Sequence, residues 1–79
     1  GYVGTTHHYL PNGIKALKPE GGLLHYHETT PEKLLFERPV NRIQEAALQL
    51  GKKMEIIGTR RIKKYAPGVW HVVVDARIT

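Results

Sequence analysis

Two runs near the end of the chain constrain its fold more than anything before them. Residues 53–65 and 69–75 are both strand-like, and Ala66-Pro67-Gly68 between them supplies a reversal, because Pro presets one turn dihedral and Gly tolerates a positive one. The two runs therefore pair as a hairpin, with a bulge or bend expected at Gly58. Val69-Trp70-His71-Val72-Val73-Val74-Asp75 is apolar on both parities, the pattern of a strand covered on both faces. The first arm instead carries Arg60, Arg61, Lys63 and Lys64, the charges by which an edge strand resists unwanted pairing. The last strand should thus lie inside a sheet, with the basic arm at its margin.

The preceding residues supply what such a sheet packs against. Gly1-Tyr2-Val3-Gly4 reads as the end of a strand running into a loop, not the start of a domain, so upstream sequence is expected. From His7 to Leu17 the apolar positions Leu10, Ile14 and Leu17 recur at helical spacing, with Thr5 or Thr6 as cap, while Pro11 and Asn12-Gly13 weaken the middle. Lys18-Pro19-Glu20-Gly21 is a turn signal. A short strand follows over Gly22 to Glu28, with Leu23, His25 and His27 on one face and Leu24 and Tyr26 on the other. Thr30 and Pro31 look like a helix cap and first helical residue, leading to a turn through Phe36. Val40, Ile43, Ala47 and Leu50 then form one apolar stripe ending at Gly51. The order helix, strand, helix, strand, strand gives an α/β class, with residues 69–78 as an antiparallel strand between 22–28 and 53–65.

Size and charge narrow the function. In 79 residues only one small domain fits, and at that size folding removes only about 60% of the unfolded chain's surface from water. There is no cysteine for a disulfide or a thiolate metal site, which fits a reducing interior such as the cytoplasm. No apolar run approaches the roughly 20 residues of a membrane span, and no secretory leader is visible. Twelve Lys and Arg against seven Asp and Glu give a net charge of +5, which favours a polyanionic partner, nucleic acid first.

Three segments carry a resemblance. HYHE at residues 25–28, PEKLLFERP at 31–39 and RRIKKYAPGVWHVVVD at 60–75 together resemble the C-terminal part of the archaeal-type tRNA guanine-N1 methyltransferase superfamily and its close relative, the wybutosine-synthesising aminocarboxypropyltransferase. The likeness covers nearly all of the chain. It implies the C-terminal half of a Rossmann-like S-adenosylmethionine-dependent methyltransferase fold, so that residues 1–79 form one partial catalytic domain. It also implies S-adenosylmethionine as cofactor, tRNA as partner, and action on the guanosine-derived base just 3′ of the anticodon. In the methyltransferase branch the loop after the fourth strand reads like Asn-Leu-Pro. Gly1-Tyr2-Val3-Gly4-Thr5-Thr6 in the corresponding place resembles the aminocarboxypropyl branch, which we favour over guanine-N1 methylation.

Either reaction is displacement at a carbon bonded to a positive sulfur, so alignment decides which carbon is attacked. A small, backbone-lined loop can admit a different rotation of the sulfonium from one bearing an Asn side chain. The cofactor-contacting candidates are accordingly Gly1, Tyr2 and Val3. The Gly-rich cofactor loop and acidic ribose-binding residue of a complete domain are not in this stretch, so these residues alone should bind the cofactor poorly and show no turnover.

The remaining candidates follow from residue type. His25 and His27 share one side of a strand and, with His7-His8 and Glu28, could be read as a metal site, but no third ligand stands at fixed spacing and the resemblance implies no metal. His27 and Glu28, at the carboxyl end of a parallel strand, are the candidates to contact the base or accept its proton. Arg60, Arg61, Lys63 and Lys64 are the candidate RNA contacts, and strict alternation would put Arg61 with Lys63 and Arg60 with Lys64. Lys33, Arg38 and Arg42 read as ordinary exposed helix charges, and Trp70 as core. Two other classes stay open: a non-catalytic RNA-binding module, or a structural piece that forms a homodimer through a sheet edge left free beside residues 22–28.

Overall fold

The computed structural model describes residues 2–17 and 20–79. In chain order it has β1 (Tyr2–Thr6), a 3-10 turn (His7–Tyr9), α1 (Leu10–Lys15), β2 (Gly22–Pro31), a second 3-10 turn (Glu32–Leu34), α2 (Glu37–Gln49), β3 (Met54–Ala66) and β4 (Val69–Ile78). The four strands make one sheet in the order β1-β2-β4-β3. β1 and β2 are parallel, and β4 runs antiparallel to both of its neighbours. The apolar run therefore sits inside the sheet and the basic arm at its margin, as the two hairpin arms imply.

Both helices pack on one face. Leu10, Ile14 and Leu17 from the α1 region and Ile43, Ala46 and Ala47 from α2 close over Leu24, Tyr26, Val74, Ala76 and Ile78. A large apolar side chain fully buried in this layer contributes about 1.5–3 kcal/mol. Residues opposed across an antiparallel pair share a face, so the register fixes the two sides of β4. Val72, Val74, Ala76 and Ile78 face the helices with Glu28, Tyr26, Leu24 and Gly22, while His71, Val73 and Asp75 face away with Thr29, His27 and His25.

Two glycines are required by geometry. Gly51, at φ +68°, follows the last turn of α2, where the Gly51 and Lys52 amides donate to the Leu48 and Ala47 carbonyls at 3.0 and 2.8 Å. This closes the helix C-terminus in the manner expected of a glycine just past the cap. Gly21, at φ +102°, lies against β4 so closely that a Cβ there would come within 2.1 Å of the Ile78 carbonyl oxygen. Of the turn expected at residues 18–21, Lys18 and Pro19 lie outside the described residues.

Four local expectations are corrected. β1 continues as a strand through Thr6 and occupies the position beside β2, so among the described residues the free edge on that side belongs to β1 and not to residues 22–28. The stretch from His7 begins as a 3-10 turn without a side-chain cap, and α1 is only six residues long, with Pro11 near its start. Gly13 reflects close packing, since a Cβ there would meet the Thr5 side chain at 3.0–3.1 Å. Thr30 and Pro31 do not start a helix; β2 runs on and pairs them with Trp70 and Val69, because β4 offers a partner strand that outweighs the local cap signal. Finally, β3 has register shifts between Ile56 and Gly58, Arg61 and Lys63, and Lys64 and Ala66. The first matches the bend expected at Gly58. The second breaks the alternation of the basic run, so Arg60 and Lys63, opposite Val73 and His71, share the face away from the helices, while Arg61 and Lys64, opposite Val72 and Trp70, share the helix face.

Candidate active-site cleft

At the carboxyl ends of β1 and β2, the rim where parallel α/β sheets place ligands, an open cleft of about 730 Å³ is lined by Thr6, His7, His8, His27, Glu28, Thr29, Arg38, Arg42, Lys63, Tyr65 and His71. β1 delivers Thr6, whose Cα partner on β2 is His27. The register of β2 with β4 sets Thr29 against His71 and Glu28 against Val72, and the hairpin bulge turns Lys63 toward His71.

The helix side of the cleft is built on Glu28. Strand alternation puts this carboxylate on the same face as Leu24 and Tyr26, where its side chain is 4% exposed. It accepts hydrogen bonds from Tyr26 Oη at 2.5 Å, Arg38 Nε at 2.7 Å and Arg42 Nη1 at 2.8 Å. Arg38 Nη2 also donates to the Thr29 carbonyl at 2.8 Å. Arg38 and Arg42 reach the same carboxylate because residues four apart on a helix lie on one face. Burial pushes the Glu28 carboxyl up, but the donors from Tyr26, Arg38 and Arg42 outweigh it and hold the group below the usual carboxylate range. Burial and the bond to Glu28 raise the Tyr26 hydroxyl, so it stays a donor. Burial lowers Arg42, yet the bonds to Glu28 and Tyr26 prevail and raise it.

The opposite side is a row of imidazoles. His27 Nδ1 lies 3.5 Å from His71 Nε2, the His25 and His27 rings meet edge to face with centroids 6.1 Å apart, and His25 pairs with Asp75. Burial, then the neighbouring His71 and His25, hold His27 below the usual imidazole range, so it is neutral near pH 7. Among the described residues no cluster of His, Asp and Glu is arranged to hold a metal ion.

The cleft unites some of the expected residues and leaves others out. His27, Glu28 and Lys63 line it; Arg60, Arg61 and Lys64 do not. Arg60 stands 3.8 Å from Asp75, and Arg61 lies over the Trp70 ring at 5.2 Å. Trp70 is half-buried and not core. Gly1 is outside the described residues, as are the side chains of Tyr2 and Val3. Sequence reasoning missed Arg38 and Arg42 by taking them for ordinary surface charges. The signal was present, since Glu28 falls on the parity of Leu24 and Tyr26, and a carboxylate on an apolar face demands a cation.

Comparison with known proteins gives a consistent result. Residues 1–57 match the family model described as the TRM5/TYW2 methyltransferase domain. The chain is 51% identical over 77 residues to the tRNA(Phe) (4-demethylwyosine(37)-C(7)) aminocarboxypropyltransferase of Methanocaldococcus jannaschii, covering 98% of this chain and 30% of that protein. It is 33% identical over 73 residues to the tRNA (guanine(37)-N(1))-methyltransferase Trm5b of Pyrococcus abyssi, covering 92% of this chain and 22% of that protein. The crystal structure of M. jannaschii TYW2 in complex with AdoMet superposes with a TM-score of 0.86 at 50% identity, covering 99% of this chain and 35% of that one. The chain thus spans less than a third of the length of these curated relatives.

Proposed function

Because the chain belongs to the TRM5/TYW2 methyltransferase domain family, we propose that it forms the C-terminal part of the catalytic domain of an S-adenosylmethionine-dependent tRNA-modifying transferase. We take the transferred group to be aminocarboxypropyl, delivered to the guanosine-derived base 3′ of the anticodon. The observation that carries this choice is the likeness itself, 51% identity to an aminocarboxypropyltransferase against 33% to a guanine-N1 methyltransferase. The free edge of β1 is then the seam with strands supplied by the rest of the longer protein, a reading that we prefer to pairing with a second copy.

S-adenosylmethionine supplies the activated carbon next to sulfur. By the family likeness it would meet this chain at Gly1, Tyr2 and Val3, next to Gly4, where a Cβ would meet nothing within 4 Å. The chain's own residues then handle the base. Joining a carbon to a ring carbon requires the ring to lose a proton, and His27 is suited to take it. It lines the cleft and is held neutral near pH 7, and in the tautomer that donates Nδ1–H to His71 Nε2 its own Nε2 is the accepting atom. Glu28 is poorly suited, because its oxygens already accept from three side chains.

The test uses the full-length protein that carries this chain, tRNA, and S-adenosylmethionine labelled either in the methyl group or in the carboxyl carbon. Aminocarboxypropyl transfer moves only the carboxyl label into tRNA and releases methylthioadenosine. Methyl label in the tRNA would assign the enzyme to the N1-methyl branch instead, and the absence of both labels would leave an RNA-binding role.

A further inference from the structure

The helix side of the cleft holds more positive charge than the transfer chemistry uses. Arg38 and Arg42 line it against the single carboxylate of Glu28, and Lys63 lines the same cleft from the other face of the sheet, which leaves two formal charges uncompensated across the cleft. Glu28 engages one nitrogen of each guanidinium, and Thr29 one more from Arg38. A guanidinium has five N–H donors in a fixed fork, so each of these retains at least three. A carboxylate 4% exposed that fastens two arginines at the mouth of an open cleft is a device for orienting them. A fork held in this way matches the paired oxygens of a phosphate or a carboxylate.

Position decides which anion it meets. The cofactor candidates Tyr2 and Val3 pair with Leu23 and Leu24. Glu28 lies four residues beyond Leu24 on the same strand, roughly 13 Å at 3.3 Å per residue. The arginines therefore stand past the end of the cofactor edge, beside Lys63 and Tyr65 of the basic hairpin.

We propose that Arg38 and Arg42, oriented by the buried Glu28, form a binding site for one phosphodiester group of the RNA adjoining the nucleoside held in the cleft. The site deepens the transferase reading and rests on it for the identity of the RNA. Arg60, Arg61 and Lys64 of β3 do not line the cleft and are not part of it.

The experiment measures binding by the full-length protein, so it does not depend on which group is transferred. Dissociation constants for tRNA at several salt concentrations and for S-adenosylmethionine by calorimetry are compared for wild type, Arg38→Gln, Arg42→Gln and Arg38→Lys. Each Gln variant keeps one arginine on Glu28, and Arg38→Lys keeps the charge while losing the fork, so each should fold. The Gln variants should weaken tRNA binding roughly tenfold and lower the salt slope by about one, with Arg38→Lys restoring the slope but not the affinity. A scan of anticodon stem-loops bearing one neutral methylphosphonate linkage each should find a linkage that weakens wild type and leaves Arg38→Gln unaffected. A loss of S-adenosylmethionine affinity with tRNA binding unchanged would show that the arginines hold the cofactor's carboxylate, and would overturn the proposal. Unchanged tRNA binding by both Gln variants would sink it while leaving the transferase reading intact, whereas a wild type that binds no tRNA would sink both.

Discussion

Along β2, Leu24, Tyr26, Glu28 and Thr30 turn toward the helices and are buried, while His25, His27 and Thr29 turn to the other face and keep solvent contact. The two faces handle ionisable groups in opposite ways. On the helix face a carboxylate stays charged because α2 brings two guanidiniums to it and Tyr26 adds a hydroxyl. On the other face imidazoles crowd one another, and His27 stays neutral because a charge there would be partly buried beside other bases. A buried ion is thus tolerated where a partner element delivers its counter-charge, and a neutral proton acceptor results where burial and neighbouring bases outweigh the nearby Asp75 carboxylate.

The largest effect should follow from breaking the helix face. Replacing Arg38 and Arg42 together by Ala leaves Glu28 buried without a cation and should cost the full-length protein about 3–5 kcal/mol in urea unfolding. A loss below about 1 kcal/mol would mean that the carboxylate is solvated or protonated at little cost, and the contrast between faces would fail. On the other face, His27→Gln should lower the transfer rate roughly 100-fold, about 2.7 kcal/mol in barrier, with unfolding little changed. An unchanged rate would move proton acceptance elsewhere.

Tyr26→Phe removes one hydrogen bond to a charged acceptor and should cost about 2 kcal/mol. The pH dependence sharpens the same contrast. Glu28 has a lowered carboxyl pKa, so its contribution is full above the unfolded value of about 4.3 and is lost as pH falls through the lower folded value. Glu28→Gln should flatten that acid limb. His27 is also lowered, so the unfolded chain takes up its proton first, and stability drops as pH falls from about 6.5 toward the folded value; His27→Gln should remove that step. A single acid limb unaffected by both substitutions would show that neither group is shifted.

The smallest effect tests the bulge in β3. Arg60 and Lys63 lie on the face away from the helices, where Lys63 lines the cleft, and Arg61 and Lys64 on the helix face, so neutralising the first pair should lower the salt slope of tRNA binding by more than neutralising the second. Equal changes would mean that the hairpin contacts RNA through both faces.

Much of the fold was legible in the residues. Val72, Val73 and Val74 announced an interior strand, the Ile43 and Ala47 stripe with Gly51 announced α2 and its end, and Ala66-Pro67-Gly68 announced the hairpin. The site was legible only in part. His27 and Glu28 could be placed at a strand end, but their different roles turn on which face is covered, and Arg38 and Arg42 looked like any pair of exposed helix charges. The helix-start signal at Thr30 and Pro31 gave way to strand pairing with β4, and alternation through Arg60, Arg61, Lys63 and Lys64 gave way to a bulge.

The division has one physical cause. Apolar periodicity and turn chemistry are local, repeat along the chain and are written in neighbouring residues, so the sequence alone determined the class, the order of elements and the interior position of β4. Register shifts, the charge state of Glu28 and the meeting of Arg38 and Arg42 with a strand ten and fourteen residues away depend on contacts between elements. Only the packed sheet and helix bring those groups together, and only there does burial make their interactions strong enough to decide anything.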